Sequence, residues 1–300
     1  MIKFLINTIF KIALLGILAV FLIEVFAEER NLEKIKIKDL DGNYCPKVGT
    51  PHYKESHILF LIDTTMQLKE TEFNTLNRLL LPEETIREIP PYTKITLVNL
   101  NGVDKQASEI GYIFSKCRPR TGDGPYDVDK ASFWDESGKK MGLRWRNFLR
   151  EFEKSKQIIK EQPLGNYTQI IEMIFEISRM PSLDFGPDYK NRKLVIASDL
   201  IQQTRDVNLA PSCIQKQKCI SWDALLQSNQ GNRLRALMPK GFKDNPPKVQ
   251  ILYLSARTDR NLTTGALEFW QDYFEEAGIN LDIGNDVEFE SNTSVPAPKT

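Results

Sequence analysis

From residue 57 onward, short apolar runs alternate with stripes of apolar residues at helical spacing. Ile58-Leu59-Phe60-Leu61-Ile62 is continuously apolar, the signature of a strand buried on both faces. Residues 69–81 carry Phe73, Leu76, Leu79 and Leu80 one helical turn apart and predict a helix. Residues 94–100 predict a second strand, and Glu109 to Phe114 a third at an edge. The stretch from Cys117 to Phe133, rich in Gly, Pro and Asp, reads as a loop. A long amphipathic helix follows over 135–160, with Met141, Trp145, Phe148, Leu149, Phe152 and Ile159 on one face. Residues 168–180 predict a well-buried helix, 193–197 and 249–254 two more buried strands, 265–277 a helix and 279–283 a last short strand. Strands that are apolar throughout, alternating with helices, specify an α/β fold. The expected form is doubly wound, with a mainly parallel sheet, helices on both faces and right-handed crossovers.

The first 27 residues have a different pattern. Ile12 to Ile23 are apolar or Gly, with Lys3 and Lys11 before them and Glu24, Glu28 and Glu29 after. Basic before and acidic after is the arrangement that sends the following chain out of the cytoplasm. About a dozen residues is short for a span, but counted from Phe4 to Ala27 the stretch reaches what a tilted span needs. The expected organisation is a signal anchor or signal peptide over 1–27, a charged tether over 28–56, the α/β domain over 57–284 and a polar, disordered tail over 285–300. The preferred reading is a membrane anchor through residues 4–27 with the domain in the periplasm. Cleavage near Ala27 is the alternative.

Composition excludes several classes. Forty Lys and Arg balance forty Asp and Glu in 300 residues, so no basic excess marks a nucleic-acid binder. Export makes the four cysteines legible as disulfides. Cys213 and Cys219 share one short polar stretch and suggest a local bridge, which leaves Cys45 with Cys117. Three connectivities are open, and buried free thiols are the alternative. No C-x-x-C motif is present.

Ligands of open α/β sheets bind beyond the carboxyl ends of the strands. Three polar clusters belong there: Asp63-Thr64-Thr65-Met66-Gln67, Gly165-Asn166-Tyr167-Thr168 and Ser198-Asp199-Leu200. Carboxylates and hydroxyls delivered by separate segments form a hard oxygen set, suited to Mg²⁺, Mn²⁺ or Ca²⁺ rather than zinc or copper. The competing reading makes Asp63, Thr168 and Asp199 local caps of turns and helices.

At these residues the chain resembles the von Willebrand factor A-type (VWA) domain. That family carries an Asp-x-Ser/Thr-x-Ser segment after its first strand, a Thr from a later loop and an Asp after its fourth strand. The resemblance implies a metal-ion-dependent adhesion site in which Asp63 and Thr65 fill the first two positions. Gln67 stands in place of the family's Ser, Thr168 is the loop threonine, and Asp199 the last carboxylate. It also implies cation-dependent binding of another protein, without catalysis. The segments HILFLIDTT, KLVIASDL and LEFWQDYFEEAGI also look like exported or membrane-anchored bacterial proteins of this type. Two rivals stand beside this reading: a metal-free structural subunit of an envelope complex, and a metal-dependent hydrolase.

Other signals are weaker. Gly122-Asp123-Gly124 lacks the setting of a phosphate loop, and Asp123, Asp127 and Asp129 lack the Gly and Glu of a calcium loop. His52 and His57 do not form a zinc-protease pair, no G-x-S-x-G elbow exists, and a serine triad has no pointer in the sequence. Asn166, Asn261 and Asn292 head glycosylation sequons, which matter only in a eukaryotic secretory pathway. Lys139, Lys140, Arg144, Arg146 and Arg150 make the long helix locally basic. That is a solvated face by default, and a contact with an anionic membrane or an acidic partner otherwise.

Overall fold

A computed structural model describes residues 36–65, 82–100, 111–123, 136–161, 167–215, 218–254 and 260–283. The expected anchor over 1–27, the helix over 69–81, Gln67 and the tail over 285–300 lie outside these residues.

Among the described residues six strands form one sheet: β1 (Ser56–Ile62), β2 (Lys94–Asn99), β3 (Tyr112–Cys117), β4 (Asn191–Ser198), β5 (Lys248–Tyr253) and β6 (Leu281–Ile283). Their spatial order is β3-β2-β1-β4-β5-β6. All neighbours pair in parallel except β2 and β3, which are antiparallel. The described helices are α1 (Glu83–Glu88), α2 (Gly138–Lys160), α3 (Ile170–Ile177), α4 (Trp222–Leu226), α5 (Gly231–Ala236) and α6 (Arg260–Glu276). This is the doubly wound α/β fold expected from the apolar runs. Among the described residues no helix is long and apolar enough to cross a membrane.

The alternation along β1 and β4 divides the core in two. Leu59, Leu61, Leu194 and Ile196 face one side with Ile170, Ile171, Met173 and Ile174 of α3 and Phe269, Trp270 and Phe274 of α6. Ile58, Phe60, Ile62, Val195 and Ala197 face the other, against Trp145, Phe148, Phe152 and Ile159 of α2. Because successive strand residues point to opposite faces, a strand covered on both sides reads as an unbroken apolar run.

Several boundaries differ from the sequence expectation. Strand β3 runs on to Cys117, past the expected end at Phe114. Cys117 is held there by a disulfide to Cys45 and by its N–H, which donates to the Asn43 carbonyl (2.9 Å). Helix α3 starts at Ile170 because Thr168 is taken up in a β-bridge with Gln203 and does not cap the helix. Helices α1, α4 and α5 have five or six residues each, too short for a periodic stripe to announce them.

Residues 36–56 lie against the amino-terminal end of the sheet. The Cys45–Cys117 bridge spans 72 residues of sequence, and by loop-closure entropy contributes about 4 kcal/mol, against about 2 kcal/mol for the six-residue Cys213–Cys219 bridge. Lys54 Nζ donates to Asp184 Oδ1 (2.8 Å) and pairs with Asp188, while Lys94 Nζ donates to Asp184 Oδ2 (2.7 Å) and Tyr189 Oη to the same oxygen (2.9 Å). Burial alone would raise the pKa of Asp184. The hydrogen bonds from Lys54 and Lys94 outweigh it and hold the carboxyl at about 2.

Behind this cluster His57 is fully buried. Its Nδ1 lies 3.0 Å from the Asp184 carbonyl and must donate, so Nε2 accepts from Thr96 Oγ1 at 2.8 Å. Burial first, and then the charge of Lys94, lower the pKa of this imidazole to about 3. Below pH 6.5 the unfolded chain takes up a proton at His57 and the folded protein does not. Stability therefore falls between pH 6.5 and about 3, at up to about 1.4 kcal/mol per pH unit. His57→Gln, which can keep both hydrogen bonds but does not titrate, is expected to flatten this limb in denaturant titrations across that range. An unchanged acid limb would place the titration elsewhere.

Candidate functional site

Strand β1 ends at Ile62, paired with Ala197 of β4. The ladder continues one step further: the Asp63 N–H donates to the Ala197 carbonyl (2.8 Å), and the Leu100 N–H to the Ile62 carbonyl (2.7 Å). Asp63 is thereby set beside Ser198 at the carboxyl rim of the sheet, 6% exposed.

Its two oxygens are engaged from different directions. Oδ1 accepts from the Thr65 N–H (2.9 Å) and from Thr65 Oγ1 (2.6 Å), an Asx-type turn. Oδ2 accepts from Ser198 Oγ (2.6 Å). Thr65 Oγ1 also lies 2.7 Å from Thr168 Oγ1. Thr65 has one hydroxyl proton and gives it to Asp63, so Thr168 is the donor in that pair. A directed chain results, from Thr168 to Thr65 to Asp63 on one side and from the Leu200 N–H (2.9 Å) through Ser198 to Asp63 on the other.

Thr168 is held in place by two backbone hydrogen bonds. Its N–H donates to the Gln203 carbonyl (3.1 Å), and the Gln203 N–H donates back (2.8 Å). Glu172, one turn on in α3, accepts from Gln202 Nε2 (2.6 Å) and Thr204 Oγ1 (2.6 Å), which ties the segment after β4 to the start of α3. Burial dominates the environment of Glu172 and raises its pKa. On the β2 side Thr64 Oγ1 donates to Asn99 Oδ1 (2.9 Å).

Asp63, Thr65 and Thr168 therefore meet. Asp199 is engaged differently. Its Oδ1 accepts from the Ile201 N–H (2.9 Å), the capping role that competed with ligation in the sequence. The parity of the strand explains the difference. Ser198 shares the face of Leu194 and Ile196, the face onto which Leu59, Leu61 and then Asp63 project, and Asp199 is one residue out of step. Sequence reasoning named Ser198 only as a neighbour of Asp199. Counting by twos from Leu194 would have found it. Leu200 follows with φ 64°, a conformation disfavoured for a branched side chain. It is locked there by its N–H to Ser198 and by Trp270 Nε1, which donates to its carbonyl (2.9 Å). Backbone strain of this kind collects at functional rims.

The chemistry of the donors fits a small hard cation in part. Burial raises the pKa of Asp63, and the hydrogen bonds from Ser198 and Thr65 oppose that rise without cancelling it. No positive charge contributes to its environment among the described residues. The oxygen spacings of 2.6 and 2.7 Å are a few tenths of an ångström below the about 2.9 Å between neighbouring ligands on an octahedral Mg²⁺. Turning the two threonine hydroxyl protons outward would free their lone pairs. The limit is charge. Among the described residues no group of three or more His, Cys, Asp or Glu side chains could hold a metal.

Neither histidine reaches this rim. His57 opens β1 at the opposite end, where Thr96 stands between it and Ser115 (Thr96 Oγ1 to Ser115 Oγ, 3.0 Å), and His52 rests near the Tyr92 ring.

No protein-family model and no curated protein sequence matches the chain. Among solved structures it is similar to the manganese-loaded TRAP protein of Plasmodium vivax, with 8% identity, TM-score 0.33, and coverage of 71% of this chain and 62% of that one. It is similar to the human COPII-coat protein Sec24c, with 12% identity, TM-score 0.38, and coverage of 77% and 30%. It is also similar to an aerotolerance-related membrane protein of Bacteroides fragilis, with 12% identity, TM-score 0.33, and coverage of 77% and 92%. The chain thus spans less than two thirds of the length of the first two. At such scores and identities these likenesses add nothing to what the sheet itself displays. The strand order, with its one antiparallel edge pairing, and the helices around the sheet give the domain a doubly wound α/β architecture, and an Asp-x-Thr segment closes its first strand.

Proposed function

We propose that this chain is a protein-binding module whose contact surface is the carboxyl rim of the sheet, and that it performs no catalysis of its own. The observation that carries the reading is the meeting of Asp63, Thr65 and Thr168, from two segments 103 residues apart, through hydroxyl contacts of 2.6 and 2.7 Å. These three would hold a hard divalent cation, Mg²⁺, Mn²⁺ or Ca²⁺. Asp199 would act from further out, and Ser198 would orient Asp63. A bound cation supplies an open coordination position that an acidic side chain of another protein can complete. The two disulfides suit an oxidising compartment, in keeping with an exported domain tethered through residues 4–27.

A second reading has its own support. Both oxygens of Asp63 and one of Asp199 already accept hydrogen bonds, so the cluster is also a complete scaffold without a metal. Asp63→Asn separates the two. A buried carboxylate with a raised pKa opposes folding at neutral pH, so in chelator the substitution is expected to raise the melting temperature. Added Mg²⁺ or Mn²⁺ should then stabilise the wild type and leave the variant unmoved. A wild type indifferent to both ions would select the scaffold.

Ser198→Ala removes the donor to Asp63 Oδ2 and is expected to weaken cation affinity about tenfold, measured by titration calorimetry. Affinity unchanged by Ser198→Ala would remove that serine from the site. Finally, the full chain used as bait should lose its bound partner in EDTA and as Asp63→Ala, with an intact circular dichroism spectrum. Identical captured proteins with and without EDTA would take the cation out of recognition, and metal-dependent turnover of a substrate would replace the binding module with a hydrolase.

A further inference from the structure

The outer face of α2 plays no part in the site described above. The helix has 23 residues, about 34 Å of length, and buries Trp145, Phe148, Phe152 and Ile159 against the sheet. Lys139, Leu143, Arg146, Arg150 and Lys154 follow one another at intervals of four, three, four and four, so they form a single line along the helix. All five are exposed, and Leu143 keeps 53% of its surface.

The carboxylates around this helix are engaged elsewhere. Glu136 pairs with Arg144, Glu151 with Lys116 (2.7 Å) and Glu153 with Lys156 (2.5 Å), while Glu161 accepts from Gln157 (2.6 Å). Among the described residues none of Lys139, Arg146, Arg150 and Lys154 has a carboxylate within ion-pair distance, and Arg150 touches only the Asn147 amide (3.2 Å). The acidic side chains of α2 thus neutralise cations at its flanks and leave the outermost line positive. In a chain with equal acid and base overall, that separation is local and directional.

We propose that this line docks on an anionic phospholipid bilayer, with the four cations at the phosphate level and Leu143 between them entering the headgroup boundary. A straight cationic row broken by one projecting leucine matches a flat charged surface with an apolar layer beneath it. An acidic protein would satisfy the charges but gives the exposed leucine no reason to stand among them. The apolar stretch at residues 4–27, read as an anchor, would keep such a surface within reach.

The test uses the full chain reconstituted in phosphatidylcholine bilayers with and without phosphatidylglycerol. Acylation of single lysines by a water-soluble reagent is followed by mass spectrometry. Lys139 and Lys154 are expected to react several-fold more slowly in the anionic bilayers, while Lys190, whose side chain is 69% exposed elsewhere on the domain, reacts equally in both. High salt and the double substitution Arg146→Glu with Arg150→Glu should abolish the protection, and Leu143→Ser should reduce it. Equal rates in the two bilayers would overturn the proposal, as would protection that survives charge reversal. Protection by soluble polyglutamate with none from the anionic bilayer would assign the face to an acidic protein.

Discussion

Everything at the rim depends on the position of β1. It is paired on both sides and covered on both faces, with Leu59, Phe60, Leu61 and Ile62 at 0% exposure. A strand so placed cannot slip by one residue without turning each of these side chains into the wrong half of the core. The register Ile62 to Ala197 is fixed by that penalty, and it sets Asp63 against Ser198. The polar cluster is a consequence of apolar packing two residues away.

How much of this could be read in advance follows from the same physics. The fully apolar strands, the amphipathic α2 and the buried α3 were legible because burial on two faces, or on one stripe, leaves a direct record in sequence. Both disulfides were legible from a small even number of cysteines. Helices α1, α4 and α5 left no record, since a single turn and a half shows no period. The bridge between Thr168 and Gln203 joins two irregular segments, and neither announces the other. At the site, Asp63, Thr65 and Thr168, grouped by residue type, are joined by hydrogen bonds. Residue type did not separate Ser198 from Asp199, because that distinction lies in which face of the sheet each projects from.

The rim also displays two opposed demands on one carboxylate. Burial makes the charge of Asp63 costly, and hydroxyl donors reduce the cost without supplying an opposite charge. The same hydroxyls close on Asp63 and leave both of its oxygens hydrogen-bonded.

The Cys45–Cys117 bridge has a mechanical meaning. A pull on the chain from its amino-terminal side reaches Cys45 before it reaches the sheet, and the covalent link carries the load across to Cys117 at the end of edge strand β3. The intervening polypeptide, with β1, β2, β3 and Asp63, forms a closed loop outside the path of tension. Traction would therefore load the segments after Cys117, Thr168 and Ser198 among them, before it loads the strand that carries Asp63.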